Sequence, residues 1–102
     1  MRTYRRDEIE NKHGQYIAYW SKQPGNTELE KYKNFIQGMF YTEHIVKDNN
    51  GNDITCYVDN EEGPDGYILV CFNNLGETIL NTNCYGNEQS DILEELDDNG
   101  IL

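Results

Sequence analysis

The sequence predicts a single α+β domain with an N-terminal helical hairpin, a four-stranded antiparallel sheet and a short C-terminal helix. The chain has 102 residues, which is the length of one domain, and 12% of them are aromatic, which is typical of a folded chain. Apolar residues recur at helical spacing over residues 5–41, the pattern becomes strand-like over 43–83, and a helical stretch returns over 90–98. The simplest architecture is an antiparallel meander with the helices packed on one face.

The first predicted helix covers residues 5–21. Five side chains fall on one helical stripe, and Pro24 and Gly25 follow as helix breakers. The stripe consists of Ile9, His13, Tyr16, Ile17 and Trp20.

The second predicted helix begins at a capping box, in which the side chains of Thr27 and Glu30 each satisfy the backbone N–H group of the other residue. Apolar residues at helical spacing extend it to about Tyr41. Because only a short turn separates the two helices, we expect them to form an antiparallel hairpin.

Two hairpins are predicted in the second half of the chain. Asn50-Gly51 lies between β-branched runs and indicates a type I′ turn, in which both central residues have positive φ. Residues 67–72 are apolar on both faces, which is typical of a covered central strand. Residues 73–76 then turn the chain into a fourth strand.

The C-terminal helix is predicted to begin at Ser90, a favoured N-cap residue. Asn99-Gly100-Ile101 predicts a Schellman ending, with Ile101 folding back towards Leu96. Asp97 and Asp98 lie where the helix dipole disfavours acids, so this helix must be docked to be stable.

Charge is divided unevenly along the chain, whose formal net charge is −11. Residues 1–47 hold all eight Lys and Arg, both His and six acids, whereas residues 48–102 hold thirteen acids and no basic residue. Three explanations remain open: solubility, an acidic face that docks on a cationic partner, and head-to-tail self-association of the two halves. Direct binding to nucleic acid or to an anionic membrane is disfavoured, because phosphates need cations to neutralise them.

No catalytic residue, metal site or cofactor is predicted. Phosphate-binding loops are absent, and three cysteines without a Cys-x-x-Cys spacing form neither a disulfide framework nor a zinc site. Residues 48–59 begin like a calcium loop but have Asp53 where the loop needs glycine. Cys84 and His44 are the one pair that could perform cysteine chemistry. All three cysteines, Cys56, Cys71 and Cys84, are expected to be reduced structural residues in or beside strands.

The leading functional hypothesis is a non-enzymatic protein–protein interaction module that uses an acidic face, in one form as an inhibitor or a mimic of nucleic acid. Tyrosine is enriched at interface hot spots, so exposed tyrosines are combined with the C-terminal acids in the predicted surface. Its members are Tyr19, Tyr41, Tyr85, Glu88, Asp91, Glu94, Glu95, Asp97 and Asp98.

The expected partner is another protein with a basic surface. The alternative function is a domain that binds a small molecule or an ion between helices and sheet, and a cysteine-dependent enzyme is the third. No segment approaches the roughly 18 apolar residues of a membrane span, and no apolar stretch follows the basic N-terminus, so the sequence predicts a soluble cytoplasmic protein.

Overall fold

The computed structural model describes residues 20–59 and 66–102. Its elements are α1 (Glu28–Ile36), β1 (Tyr41–Lys47), β2 (Asp53–Asp59), β3 (Tyr67–Phe72), β4 (Thr78–Cys84) and α2 (Gln89–Asp98). The α+β class and the four-stranded antiparallel sheet are confirmed. The first helix of the predicted hairpin falls almost wholly outside the described residues, so the hairpin stays a prediction.

The sheet is a simple meander, with the strands in the order β1-β2-β3-β4 and every neighbouring pair antiparallel. β3 has a hydrogen-bonded neighbour on each side, and its last four residues are buried. The prediction of a covered central strand is therefore confirmed. In the part of the chain that the structure describes, β1 and β4 form the two edges of the sheet.

The two described helices lie on opposite faces of the sheet. On one face, Tyr57 and Phe72 pack with Tyr32 of α1 and with Trp20. On the other, Cys56 and Cys71 belong to the cluster that contains the buried residues of α2. The expectation that the helices share one face was wrong, because successive side chains of β2 and β3 are apolar in both directions and each face needs a cover.

α1 ends at Ile36, five residues before the predicted end at Tyr41. Thr27 is the N-cap as predicted, and Glu30 N–H donates to Thr27 Oγ1 at 3.2 Å. The second bond of the predicted capping box is different, because Glu30 Oε2 accepts from the N–H of Asn26 at 2.7 Å, one residue before the N-cap. Gly38 then takes a left-handed φ of +86° and terminates the helical path. Tyr41 instead begins β1, paired with Asp59 of β2, so the helical spacing of the residues after Ile36 was coincidental.

The β1–β2 hairpin has a three-residue loop rather than the predicted type I′ turn. Asp48 N–H donates to Asn52 O at 2.8 Å, Gly51 N–H donates to Asp48 O at 3.1 Å, and Gly51 has φ of +81°. Among the described residues only glycines have a positive φ. Asn50 therefore does not, which excludes a type I′ turn at Asn50-Gly51. The geometry is that of a type I turn followed by a left-handed glycine.

The β3–β4 hairpin has the same loop geometry. Asn73 N–H donates to Glu77 O at 2.9 Å, Gly76 N–H donates to Asn73 O at 3.0 Å, and Gly76 has φ of +80°. Here the loop is packed, since Gly76 O accepts from the N–H of Leu29 in α1 at 3.0 Å. The second hairpin therefore fixes where the first turn of α1 lies on the sheet.

Candidate functional site

α2 is fixed at both ends by local hydrogen bonds. A capping box joins Glu88 and Asp91, in which Glu88 N–H donates to Asp91 Oδ2 at 3.1 Å. The helix therefore begins at Gln89, and the prediction of Ser90 as its N-cap was wrong, because the acid that can close a box is three residues after Glu88. The Schellman ending is confirmed, with Ile101 N–H donating to Leu96 O at 2.9 Å.

Two buried side chains fix which face of α2 points outward. Ile92 and Leu96 are fully buried in the cluster on this side of the sheet. Because they are four residues apart, they mark the inner stripe of the helix. The outer stripe is exposed and contains Glu94, Asp97 and Asp98. Together with the exposed N-cap residue Glu88, these three side chains form what we call the α2 acidic surface.

The electrostatics of α2 are unfavourable to the helix itself. It carries five acids in ten residues, and no basic residue lies in its last turn. Asp97 and Asp98 lie at the C-terminal end, where the partial negative charge of the dipole repels them. The pKa of Glu95 is raised by its partial burial and by the neighbouring charges of Asp98 and Glu94.

Two of the predicted acids are turned inward rather than into the acidic surface. Asp91 and Glu95 are half-buried. The carboxylate of Asp91 closes the capping box and lies against Gly86, where an added Cβ would come within 2.1 Å of Oδ2. Asp91 therefore has a structural role as a cap, and the partial burial of Glu95 separates it from the exposed Glu94, Asp97 and Asp98.

The structure does not bring the predicted tyrosines together. Tyr85 is 57% exposed and lies in the short segment between β4 and α2, close to the N-cap of the helix. Tyr41 lies on the opposite face of the sheet, where its ring meets that of Tyr57 at a centroid distance of 5.7 Å. Tyr19 lies outside the described residues.

Several exposed apolar side chains escaped the sequence analysis. Leu93 is 36% exposed on the outer side of α2, beside Glu94. Its signal in the sequence is that it falls off the stripe formed by Ile92 and Leu96. Met39 and Phe40, just before β1, and Ile45 within it are also exposed, and they are close in the chain to the predicted Tyr41.

Cys84 and His44 are each hydrogen bonded to a backbone carbonyl group of the segment after β4. Cys84 is the last residue of β4, is buried, and donates its thiol hydrogen to Gly86 O at an Sγ–O distance of 3.0 Å. Burial raises the pKa of this thiol to about 11. His44 Nε2 lies 2.9 Å from Asn87 O and donates to it. Each side chain therefore ties the segment after β4 to the sheet.

The other two cysteines face each other across the central strands. Cys56 and Cys71 are directly paired in register, fully buried, and both are free thiols. A hydrogen bond with Cys56, followed by burial, raises the pKa of Cys71 well above its usual range. The expectation of reduced structural cysteines within strands is consistent with these positions.

The calcium-like pattern after β1 belongs to the hairpin. Asp48 Oδ1 accepts from the N–H groups of Asn50 at 2.8 Å and Asn52 at 2.9 Å, so this carboxylate already holds its own turn. Within residues 20–59 and 66–102, no three His, Cys, Asp or Glu side chains are grouped as a metal site would require.

A shallow pocket of about 240 Å³ lies between the start of α1 and the β3–β4 hairpin. Its lining includes Thr27, Glu28 and Gly76. Two backbone donors of the first helical turn are already used within the chain, since Leu29 N–H donates to Gly76 O and Glu30 N–H donates to Thr27 Oγ1.

No protein-family model matches the chain, and neither a curated protein nor a solved structure is similar to it. In the part of the chain that the structure describes, no helix has the length and apolar character needed to cross a membrane.

Proposed function

We propose that the protein is a non-enzymatic interaction module that docks the α2 acidic surface onto a basic surface of another protein. One observation carries this proposal: α2 keeps exposed acids that weaken the helix. Acids in the last helical turn oppose the dipole by about 0.3–1 kcal/mol each when exposed. Asp97 and Asp98 stand there with no basic residue in the turn. A cationic partner would turn this repulsion into attraction.

The composition around the acids also suits an interface. Leu93 places an exposed apolar side chain among the acids, and Tyr85 places an exposed aromatic ring near the start of the helix. Interfaces typically combine apolar anchors with a polar rim, and tyrosine is enriched among the anchors. The α2 acidic surface with Leu93 and Tyr85 therefore provides both steering charge and contact area.

The partner in this proposal is identified by its chemistry as a protein with a basic patch. Complementary charge raises the association rate, and the attraction weakens as salt screens it. If the partner's patch normally binds phosphates, the α2 carboxylates would stand in for them and the protein would act as an inhibitor that mimics nucleic acid. Competition with nucleic acid distinguishes this form from simple docking.

The test compares two variants that lose the same number of charges. The α2 variant carries Glu94→Gln, Asp97→Asn and Asp98→Asn. The control variant carries Glu28→Gln, Glu30→Gln and Glu77→Gln, at exposed positions around α1 and the β3–β4 hairpin. Amides keep an oxygen acceptor, so local hydrogen bonds such as that from Thr78 to Glu28 are retained in the control.

Wild type and both variants are used to capture proteins from an extract of the source cell at low salt. The proposal predicts a basic protein that the wild type and the control variant retain and that the α2 variant loses. Elution of that protein at high salt is also expected. Equal capture by all three proteins, or loss only in the control variant, would overturn the proposal.

A further inference from the structure

Within residues 20–59 and 66–102, β1 has a neighbouring strand on one side only, so it is an edge strand of the described sheet. Its exposed residues alternate with less exposed ones, and they include Glu43, Ile45 and Lys47. Ile45 is 55% exposed, whereas Tyr57 on the neighbouring strand is buried beneath α1. Among the described elements, α1 covers β2 and β3 on this face and does not cover Ile45 of β1. An exposed apolar residue on an open edge is a typical site of strand pairing with another chain.

The hairpin bonds establish which backbone groups of β1 point outward. Asp48 and Asn52 are hydrogen bonded to each other, and pairs along an antiparallel ladder alternate between bonded and non-bonded. Val46 and His44 therefore direct their N–H and C=O groups towards β2. The corresponding groups of Glu43, Ile45 and Lys47 point away from the sheet, at the free edge.

We propose that β1 pairs antiparallel with β1 of a second copy of this chain, about a twofold axis at Ile45. The two sheets then join into one continuous sheet across the axis. Ile45 lies opposite Ile45 of the second copy, and Glu43 lies opposite Lys47 of the second copy on each side. All of these residues direct their backbone groups outward, so each pair exchanges both of its backbone hydrogen bonds.

Charge complementarity selects this register. An axis at Glu43 would place two carboxylates directly opposite each other, which is destabilising. An axis at His44 would place Glu43 opposite Ile45 and leave Lys47 opposite Tyr41. Only the axis at Ile45 forms two opposite-charge pairs around an apolar pair. Lys47 also bonds Asp53 of its own chain, so its ammonium group would be shared by two carboxylates.

Self-complementarity is also the reason to choose a second copy as the occupant. Lysine on an edge strand ordinarily discourages pairing with other chains. Here the sequence of β1 places a glutamate four residues before that lysine, with the isoleucine midway between them. This spacing suits an isologous interface, because the Glu43–Lys47 contact occurs twice, once on each side of the axis.

The first experiment measures molecular mass by light scattering over a range of protein concentrations. The wild type should approach twice the monomer mass as concentration rises. Ile45→Arg, which places two arginines at the axis, should remain monomeric. Leu75→Arg is the matched control, because Leu75 is 69% exposed in the β3–β4 hairpin, and it should dimerise like the wild type. A wild type that stays monomeric at every concentration would overturn the proposal.

A second experiment tests the register with two variants whose folding is checked separately by thermal unfolding. Glu43→Lys and Lys47→Glu each place like charges opposite each other in a homodimer, so each protein alone should be monomeric. Mixed in equal amounts, they restore opposite charges at both pairs and should form a heterodimer. Dimers of either single variant, or no dimer in a mixture whose components both show a cooperative thermal unfolding transition, would contradict the register.

Discussion

Gly51 and Gly76 occupy equivalent positions in the two hairpin loops but have different surroundings. Both have φ near +80°. An added Cβ on Gly51 would meet nothing within 4 Å, whereas one on Gly76 would come within 2.8 Å of Thr27 Cβ. Since Thr27 is the N-cap of α1, the contact at Gly76 links the hairpin to the helix.

Alanine at the two positions should therefore have unequal effects. Gly51→Ala should lower the free energy of unfolding by about 1–2 kcal/mol, the usual cost of a left-handed alanine. Gly76→Ala should lower it by about a further 1–3 kcal/mol, because the helix start must also shift to admit the methyl group. Urea unfolding of both variants measures the difference. Equal losses would show that the Gly76–Thr27 contact does not constrain the fold.

The buried thiols provide a second test at the scale of single residues. The raised pKa values of Cys71 and Cys84 mean that both are protonated, and so unreactive, at neutral pH. A thiol reagent should label none of the three cysteines of the folded protein quickly and all of them after unfolding. Rapid labelling of Cys84 in the folded state would contradict its placement.

The same shift predicts how stability depends on alkaline pH. An unfolded thiol ionises near pH 8.5, at about the usual value, whereas Cys84 ionises at about 11 when folded. Its contribution to stability is thus fully present below the unfolded pKa and is lost as pH rises through the folded one. Urea unfolding at rising pH should show that the wild type loses free energy of unfolding relative to its value at neutral pH. The corresponding loss in Cys84→Ala should be smaller.

At the scale of the element, apolar packing stabilises α2, whereas the repulsion among its acidic side chains destabilises it. Ile92 and Leu96 pack α2 onto the sheet. The pKa of Glu95 is raised because its carboxylate is partly buried and lies near the charges of Asp98 and Glu94. The folded protein therefore loses stability as pH rises through that pKa.

Glu95→Gln should accordingly stabilise the protein near neutral pH. The expected gain is about 0.2–0.5 kcal/mol, the usual size of a like-charge repulsion along a helix. The gain should vanish in acid, where Glu95 is protonated and uncharged. Glu77→Gln, on an exposed hairpin, is the control and should change stability less. A destabilising Glu95→Gln at neutral pH would show that this carboxylate is satisfied rather than strained.

The elements found from sequence were those with local signals. Thr27 and Glu30 mark the start of α1, and Gly100 marks the end of α2, because caps are formed by residues close together in the chain. The end of α1 was misplaced, since the apolar residues after Ile36 fit helical spacing as well as they fit a strand. These residues lead into a strand because Tyr41 pairs with Asp59, which is distant in the sequence.

The candidate site was likewise predictable only in part from the sequence. The acids of α2 are visible as a charge pattern, but their orientation depends on the burial of Ile92 and Leu96. Sequence alone could not separate the inward Asp91 and Glu95 from the outward Glu94, nor show that Tyr41 lies on the other face of the sheet.

At the scale of the whole molecule, two separate surfaces offer contacts. The α2 acidic surface lies on one face, and the open edge of β1 lies along one side of the sheet. A dimer through β1 would leave both copies of α2 accessible, so it could present two acidic surfaces to one partner. Two linked contacts bind more tightly than one when the partner's geometry admits both.

That arrangement predicts a link between the two surfaces. Ile45→Arg should weaken capture of a partner with several basic patches, because the monomer presents only one acidic surface at a time. Binding to a partner with one patch should be unchanged. Measuring both partners with wild type and Ile45→Arg separates the effects. Equal loss with both would mean that Ile45 itself contacts the partner.

The most direct test of the central claim is a titration of the purified basic partner against wild type and the α2 variant at two salt concentrations. We predict that the wild type binds more tightly at low salt and that the α2 variant loses both affinity and salt dependence, while the control variant with Glu28→Gln, Glu30→Gln and Glu77→Gln binds as the wild type does. An α2 variant whose affinity and salt dependence match those of the wild type would contradict the assignment of α2 as the docking surface.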